Sequence, residues 1–175
     1  MHWCAAIEAK LCSANPNAGL QNFLQVSIRQ LADLTRLVRG ELSSLHRKIL
    51  GALITVDVHA RDIVADLVHR NTKDVNDFEW QMQLRYYMEG EDVVVRQVNA
   101  HFNYAYEYLG AQSRLVVTPM TDRCYLTLTG ALHLKLGGAP QGPAGTGSLK
   151  RSNPDLPEDV VLIRAMRDSN LPKFL

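Results

Sequence analysis

The apolar residues Leu42, Leu45, Ile49, Leu53, Val56, Ala60, Ile63 and Leu67 recur every three or four positions. Only a 3.6-residue turn stacks such positions on one face, so this stretch is committed to a long helix with one packed stripe. A second helix is predicted ahead of it, with Asn15 as N-cap, Pro16 at the first helical position and Gly40 past the end. Its own stripe runs through Leu20, Leu24, Ile28, Leu31, Leu34 and Val38, with Arg36 and Arg39 in the last turn, where they suit the helix dipole.

Within the longer helix, Asp57 precedes Arg61 and Asp66 precedes Arg70 by one turn, the favourable order for ion pairs on a solvated face. The β-branched patch Ile54, Thr55, Val56 and Val58 makes "LITVDVH" resemble an apolar strand ending in an acid. The helical stripe runs through it unbroken, so Asp57 is read as a surface partner of Arg61.

At Trp80 the period changes to two. Trp80, Met82, Leu84, Tyr86 and Met88 alternate with Gln81, Gln83, Arg85 and Tyr87, which reads as a strand with one buried face. After the turn-like "EGED", Val94, Val98, Ala100, Phe102, Tyr104, Tyr106 and Tyr108 alternate with mostly polar neighbours, so two antiparallel strands joined at Gly90 are expected. A further helix is predicted in "MTDRCYLTLTGALHLKLGG", capped by Thr118 or Thr121 and ended by Gly137 and Gly138. Its face is Cys124, Leu128, Ala131, Leu132 and Lys135. Residues 137–157 are rich in Gly and Pro and are expected to be mobile, and a brief helical pattern follows in "PEDVVLIRAMRDS".

The fold class that results is mainly α with a small antiparallel β element. A formal net charge of +1 over 175 residues, with acids and bases interspersed, gives no footprint for nucleic acid or an anionic membrane, so neither is expected as a partner. No apolar run is long enough to span a bilayer, and the opening "MHWCAAIEAKLC" lacks the features of a signal peptide, so an intracellular protein is expected. Cys4, Cys12 and Cys124 show no metal-ligand spacing and are read as reduced, partly buried thiols. His46, His59 and His69 show no helical zinc pair, and no metal site is expected. The tyrosines of "YAYEY" are read as packing residues rather than a base-stacking platform, since no basic charge surrounds them.

The most specific chemistry lies in "GPAGTGSL". Gly142, Gly145 and Gly147 fall where a phosphate loop needs small residues for its backbone amides to wrap an anion. Ser148 then occupies the lysine position and Leu149 the position of the magnesium-binding hydroxyl. Lys150 is out of register. Pro154 and Pro157 fall inside the turns of the helix that should aim its N-terminus at the phosphates. No apolar strand ending in acids follows, so no catalytic residue is assigned.

Three stretches carry a family resemblance. "WQMQLRYYMEGEDVVVRQVNAHFNYAYEYLG" resembles the end of the dynein linker, and "SRLVVTPMTDRCYLTLTGALHLKLGGAPQGPAGTG" resembles the entry into the first AAA+ module of dynein heavy chains, axonemal type. The closing "NPDLPEDVVLIRAMRDSNLPKFL" is similar to the approach to the second AAA+ module. The resemblance implies three parts: the C-terminal part of the linker over 1–112, the start of the first AAA+ module over 113–147, and a flexible junction with a short helix over 148–175. By the same resemblance Val117, Thr118 and Pro119 would border adenine, and Gly142, Pro143, Ala144, Gly145, Thr146 and Gly147 would begin the phosphate cradle.

The family is an ATP-driven, minus-end-directed microtubule motor of the cilium axoneme and cytoskeleton. Its cofactors are ATP and magnesium, and its partners are the rest of the motor ring, dynein intermediate and light chains, and microtubules. Without the lysine, the hydroxyl and the acids, this chain is expected to hold no nucleotide tightly and to be inactive alone. The second reading of the residues is an α-helical interaction module that binds no nucleotide.

Overall fold

The computed structural model describes residues 2–106, 108, 110, 114 and 116–136. They fall into two compact units, one built from residues 2–81 with 110, 114 and 116, and the other from residues 82–106 and 108 with 117–136.

The first unit is helical: α1 (His2–Leu11), α2 (Pro16–Val38), α3 (Ser44–His69) and the single turn α4 (Phe78–Gln81). Asn15 caps α2 as expected, its side chain accepting from the Ala18 amide at 3.2 Å, with Pro16 in the first turn. Ser43 caps α3 in the same way. α3 ends where Asn71 turns left-handed (φ 55°), so that the Thr72 amide reaches the Leu67 carbonyl and the Asn71 amide that of Val68. This is a Schellman closure with asparagine at the residue that must leave the right-handed region. The Asn17 amide also donates to the Asn71 side chain at 2.9 Å, tying the start of α2 to the end of α3.

The core lies at that same end. Cys4, Ile7 and Leu11 of α1 pack with Leu20, Val64, Leu67 and Trp80. The Trp3 and Trp80 rings meet at 5.7 Å, and the Trp80 indole donates to Glu8 at 3.1 Å. α1 was not expected from the sequence, although Cys4, Ile7 and Leu11 do share one helical face.

Two expectations need correction here. The continuous packed stripe is buried only near the core: Leu45, Ile49 and Leu53 keep 55%, 46% and 42% of their surface exposed. Among the described residues, α1 and α4 reach only the end of the α2–α3 hairpin that carries Leu20 and Leu67, so no third layer covers its far turns. The Asp57–Arg61 pair is not formed either; Arg61 bonds its sequence neighbour Asp62 instead, while Arg70 and Asp66 do pair, at 2.9 Å.

The second unit holds β1 (Arg85–Glu89), β2 (Asp92–Gln97), β3 (Ala100–Asn103) and α5 (Pro119–His133). The sheet is antiparallel in the order β1-β2-β3, so the expected two strands are three. The long run from Val94 is broken by a two-residue turn at Val98 and Asn99, where Gln97 pairs with Ala100. Val98 sits there at φ 49°, a position a β-branched side chain rarely takes. Gly90 at φ 64° serves the first hairpin at no such cost. The alternation expected to begin a strand at Trp80 begins one only at Arg85; Trp80 lies in α4, buried in the helical core.

No disulfide joins the three cysteines; Cys4 is buried, Cys124 half-buried and Cys12 exposed. None of the described helices is long and apolar enough to cross a membrane.

Candidate functional site

Three of the expected nucleotide-site residues, Val117, Thr118 and Pro119, lie where the chain enters α5. Thr118 is extended (φ −119°, ψ 162°), and its hydroxyl accepts from the Thr121 amide at 3.3 Å. The Thr121 hydroxyl in turn accepts from the Thr118 amide at 2.7 Å. Two amides that no helical carbonyl could reach are thus satisfied reciprocally, a capping box built from two threonines. Both sequence candidates for the cap are therefore used. Pro119 fixes the first helical φ without wasting a donor, and Asp122 places negative charge in the first turn, where the dipole favours it.

The remaining expected site residues, Gly142, Pro143, Ala144, Gly145, Thr146 and Gly147, lie outside the described residues, as do Ser148 and the helical pattern of "PEDVVLIRAMRDS". The end of α5 is described, and it corrects one expectation. Gly137 and Gly138 do not terminate the helix. Lys135 turns left-handed (φ 59°), and the Leu136 and Lys135 amides close onto the carbonyls of Ala131 and Leu132 at 2.8 and 2.9 Å.

One face of α5 meets the sheet. Leu132 packs against the fully buried Val95 beside Tyr86 and Phe102. One turn earlier, the Thr129 hydroxyl donates to the Gln97 side chain at 2.6 Å, and the Gln97 amide donates onward to the Met82 carbonyl at 2.9 Å. The His133 and His101 rings meet edge to face at 5.7 Å. Nothing in the sequence order joins Gln97 to Thr129 or His101 to His133. The signal that could have found the first pair is a polar residue at an inward position of a strand facing a threonine on the apolar side of a helix.

Of the three tyrosines in "YAYEY", Tyr104 and Tyr106 make ring contacts and Tyr108 does not pack. Tyr104 stacks edge-on with Tyr86 and with Tyr106, and the Tyr106 hydroxyl accepts from the Val93 amide at 2.9 Å, while Tyr108 is exposed. Among the described residues no three His, Cys, Asp or Glu side chains are grouped to hold a metal ion.

At the expected phosphate end the sequence departs from a magnesium-nucleotide loop at two positions, Ser148 and Leu149. The sequence offers backbone amides from its glycines but neither a lysine at 148 nor a hydroxyl at 149.

Comparison with known proteins bears on the same stretch. A family described as "Hydrolytic ATP binding site of dynein motor region" matches residues 104–148, from the tyrosine run through α5 to Ser148, just past the last glycine. Dynein axonemal heavy chain 1 of Mus musculus is 56% identical over 146 residues, covering 83% of this chain. The human protein of the same name is 62% identical over 119 residues, 68% of the chain. Dynein axonemal heavy chain 12 of Rattus norvegicus is 52% identical over 147 residues, 84% of the chain. The match spans only 3%, 3% and 5% of those relatives. Identity of this order across most of the chain, with the dynein-specific ATP-site family matching α5 and the loop beyond it, places this chain in the axonemal dynein heavy-chain family.

Proposed function

We propose that this chain is the part of an axonemal dynein heavy chain where the linker ends and the first AAA+ module begins. Residues 1–112 would be linker, 113–147 the module's entry, and 148–175 a junction resembling the lead-in to the second module. The observation that carries this reading is the dynein ATP-site match over residues 104–148, which takes in the whole of α5 and its boxed start.

In that setting Val117, Thr118 and Pro119 border the adenine, and residues 142–147 begin the wrap around the phosphates. The parent motor uses ATP and magnesium and moves toward microtubule minus ends in the axoneme. Its partners are the rest of the ring, intermediate and light chains, and microtubules. This chain does not turn over ATP by itself. Each missing charge-assisted contact to the outer phosphates costs about 1.5–3 kcal/mol, and about 1.4 kcal/mol is already tenfold in affinity. Purified chain titrated with ATP and magnesium is expected to show no tight binding and no phosphate release. ATP turnover abolished by changing Gly147 would overturn the assignment of an inactive segment.

A second reading has its own observation. The exposed Leu45, Ile49, Leu53 and Val56 of α3 make an apolar face of the kind that marks an interaction surface. An α-helical interaction module would give one defined complex in size-exclusion chromatography with light scattering. Polydisperse aggregates would count against it.

A further inference from the structure

Gln97 on β2 is 5% exposed and Thr129 on α5 is 1% exposed, so both polar side chains are out of water. Buried amides and hydroxyls are tolerated only when paired, and here the pairing runs in one direction across two elements. The Thr129 hydroxyl has a single proton and two close acceptors, Gln97 at 2.6 Å and the Tyr125 carbonyl of its own helix at 2.8 Å. Back-bonding to the helix is what a mid-helix threonine ordinarily does. The strand offers the shorter alternative, and the Gln97 oxygen has no other described donor. Both ends of the Gln97 amide are committed, the nitrogen to the Met82 carbonyl just ahead of β1 and the oxygen to α5, so turning the amide over would break both bonds.

We propose that Gln97 and Thr129 are positioning residues that clamp α5 in a single register on the sheet. The start of α5, residues 117–119, then moves with β2 and with the backbone at Met82. The apolar contact of Leu132 on Val95 could slide along the helix at little cost, because dispersion contacts are not directional. The hydrogen bond could not, since it weakens steeply with misalignment. The clamp therefore fixes the one degree of freedom that the apolar contact leaves open. This rests on the reading that residues 117–119 border a nucleotide, because only then does the register of α5 set where the base can sit.

The test uses the whole chain and amide hydrogen exchange. Thr129→Val keeps the volume but leaves the Gln97 oxygen unpaired. It is expected to speed exchange along α5 about tenfold while the β1–β3 amides stay protected. Thr129→Ser, which restores the hydroxyl, is expected to return α5 to near its original rate. The double variant Gln97→Met/Thr129→Val leaves neither side chain of the pair stranded, although it also takes the Gln97 donor from the Met82 carbonyl, and it is expected to be milder than the two single changes summed. Unchanged α5 exchange in Thr129→Val, α5 and sheet rising together, or Ser failing to rescue would each overturn the clamp. The nucleotide reading is tested apart from it, by following the backbone NMR signals of Val117 and Thr118 in the unaltered chain with ATP raised into the millimolar range, where contact too weak to count as tight binding still moves them. Unmoved signals there would count against that reading and leave the exchange result to decide the clamp.

Discussion

Asp57 and Asp77 are the same acid in opposite circumstances. Partial burial of its position on α3 pushes the Asp57 carboxyl above its ordinary value of 3.8. The Lys73 and Asp74 amides, donating at 2.8 and 3.0 Å, hold Asp77 below that value. The signs follow from linkage. Asp57 favours the fold when protonated, so its contribution is complete below about pH 3.8 and is lost as pH rises through its higher folded value. Asp57→Asn is therefore expected to raise the urea midpoint at pH 7 and to change it little in acid. Asp77 favours the fold when ionised, above about pH 3.8, and loses that contribution as pH falls through its lower folded value. Asp77→Asn should lower the midpoint at pH 7 and converge with the unaltered chain in acid. Lys135 offers a third residue-scale expectation. Its left-handed backbone costs a non-glycine residue about 1 kcal/mol, so Lys135→Gly should stabilise the second unit by a similar amount in thermal melts.

At the scale of elements, the helices that announced themselves did so through punctuation. Asn15 and Pro16 fix where α2 begins because a cap and a fixed φ are local physics, readable from neighbours in sequence. The start of α5 was readable for the same reason, and its box gives a test: Thr118→Ala strands the Thr121 amide and should cost about 1 kcal/mol, read as a lower melting temperature. The strands were harder. A two-residue turn at Val98 and Asn99 inverts the parity of the pattern, so Val95 and Gln97 share their face with Ala100 and Phe102, whereas simple alternation groups Val94 with Ala100. No glycine or proline marks that turn. Trp80 and Leu84 mislead because positions four apart share a face in both a strand and a helix; the burial of Trp80 with α1 decides the matter, and that contact spans most of the first unit. For the candidate site, residues 117–119 and 142–147 are proposed through resemblance alone. The Gln97–Thr129 bond was not legible in the sequence, because it joins residues that meet only once the sheet and α5 have packed.

On the scale of the whole molecule, the two units are stabilised differently. The sheet unit closes around Val95 with a polar clamp beside it, while the helical unit concentrates its core at one end. The uncovered stripe of α3 makes an expectation about solution behaviour. Ile49→Gln with Leu53→Gln removes exposed apolar surface without touching the core, so it should reduce self-association in light scattering and leave the helical circular dichroism unchanged.

The one-sided core also implies an order of opening. Near Leu20 and Leu67 the helix pair is locked beneath α1 and Trp80, whereas around Gly40 each added turn gains little from its neighbour. The hairpin should behave as a zipper fastened at one end, fraying from the bend inward, so that within the helical unit a protease makes its first cut in the bend between α2 and α3.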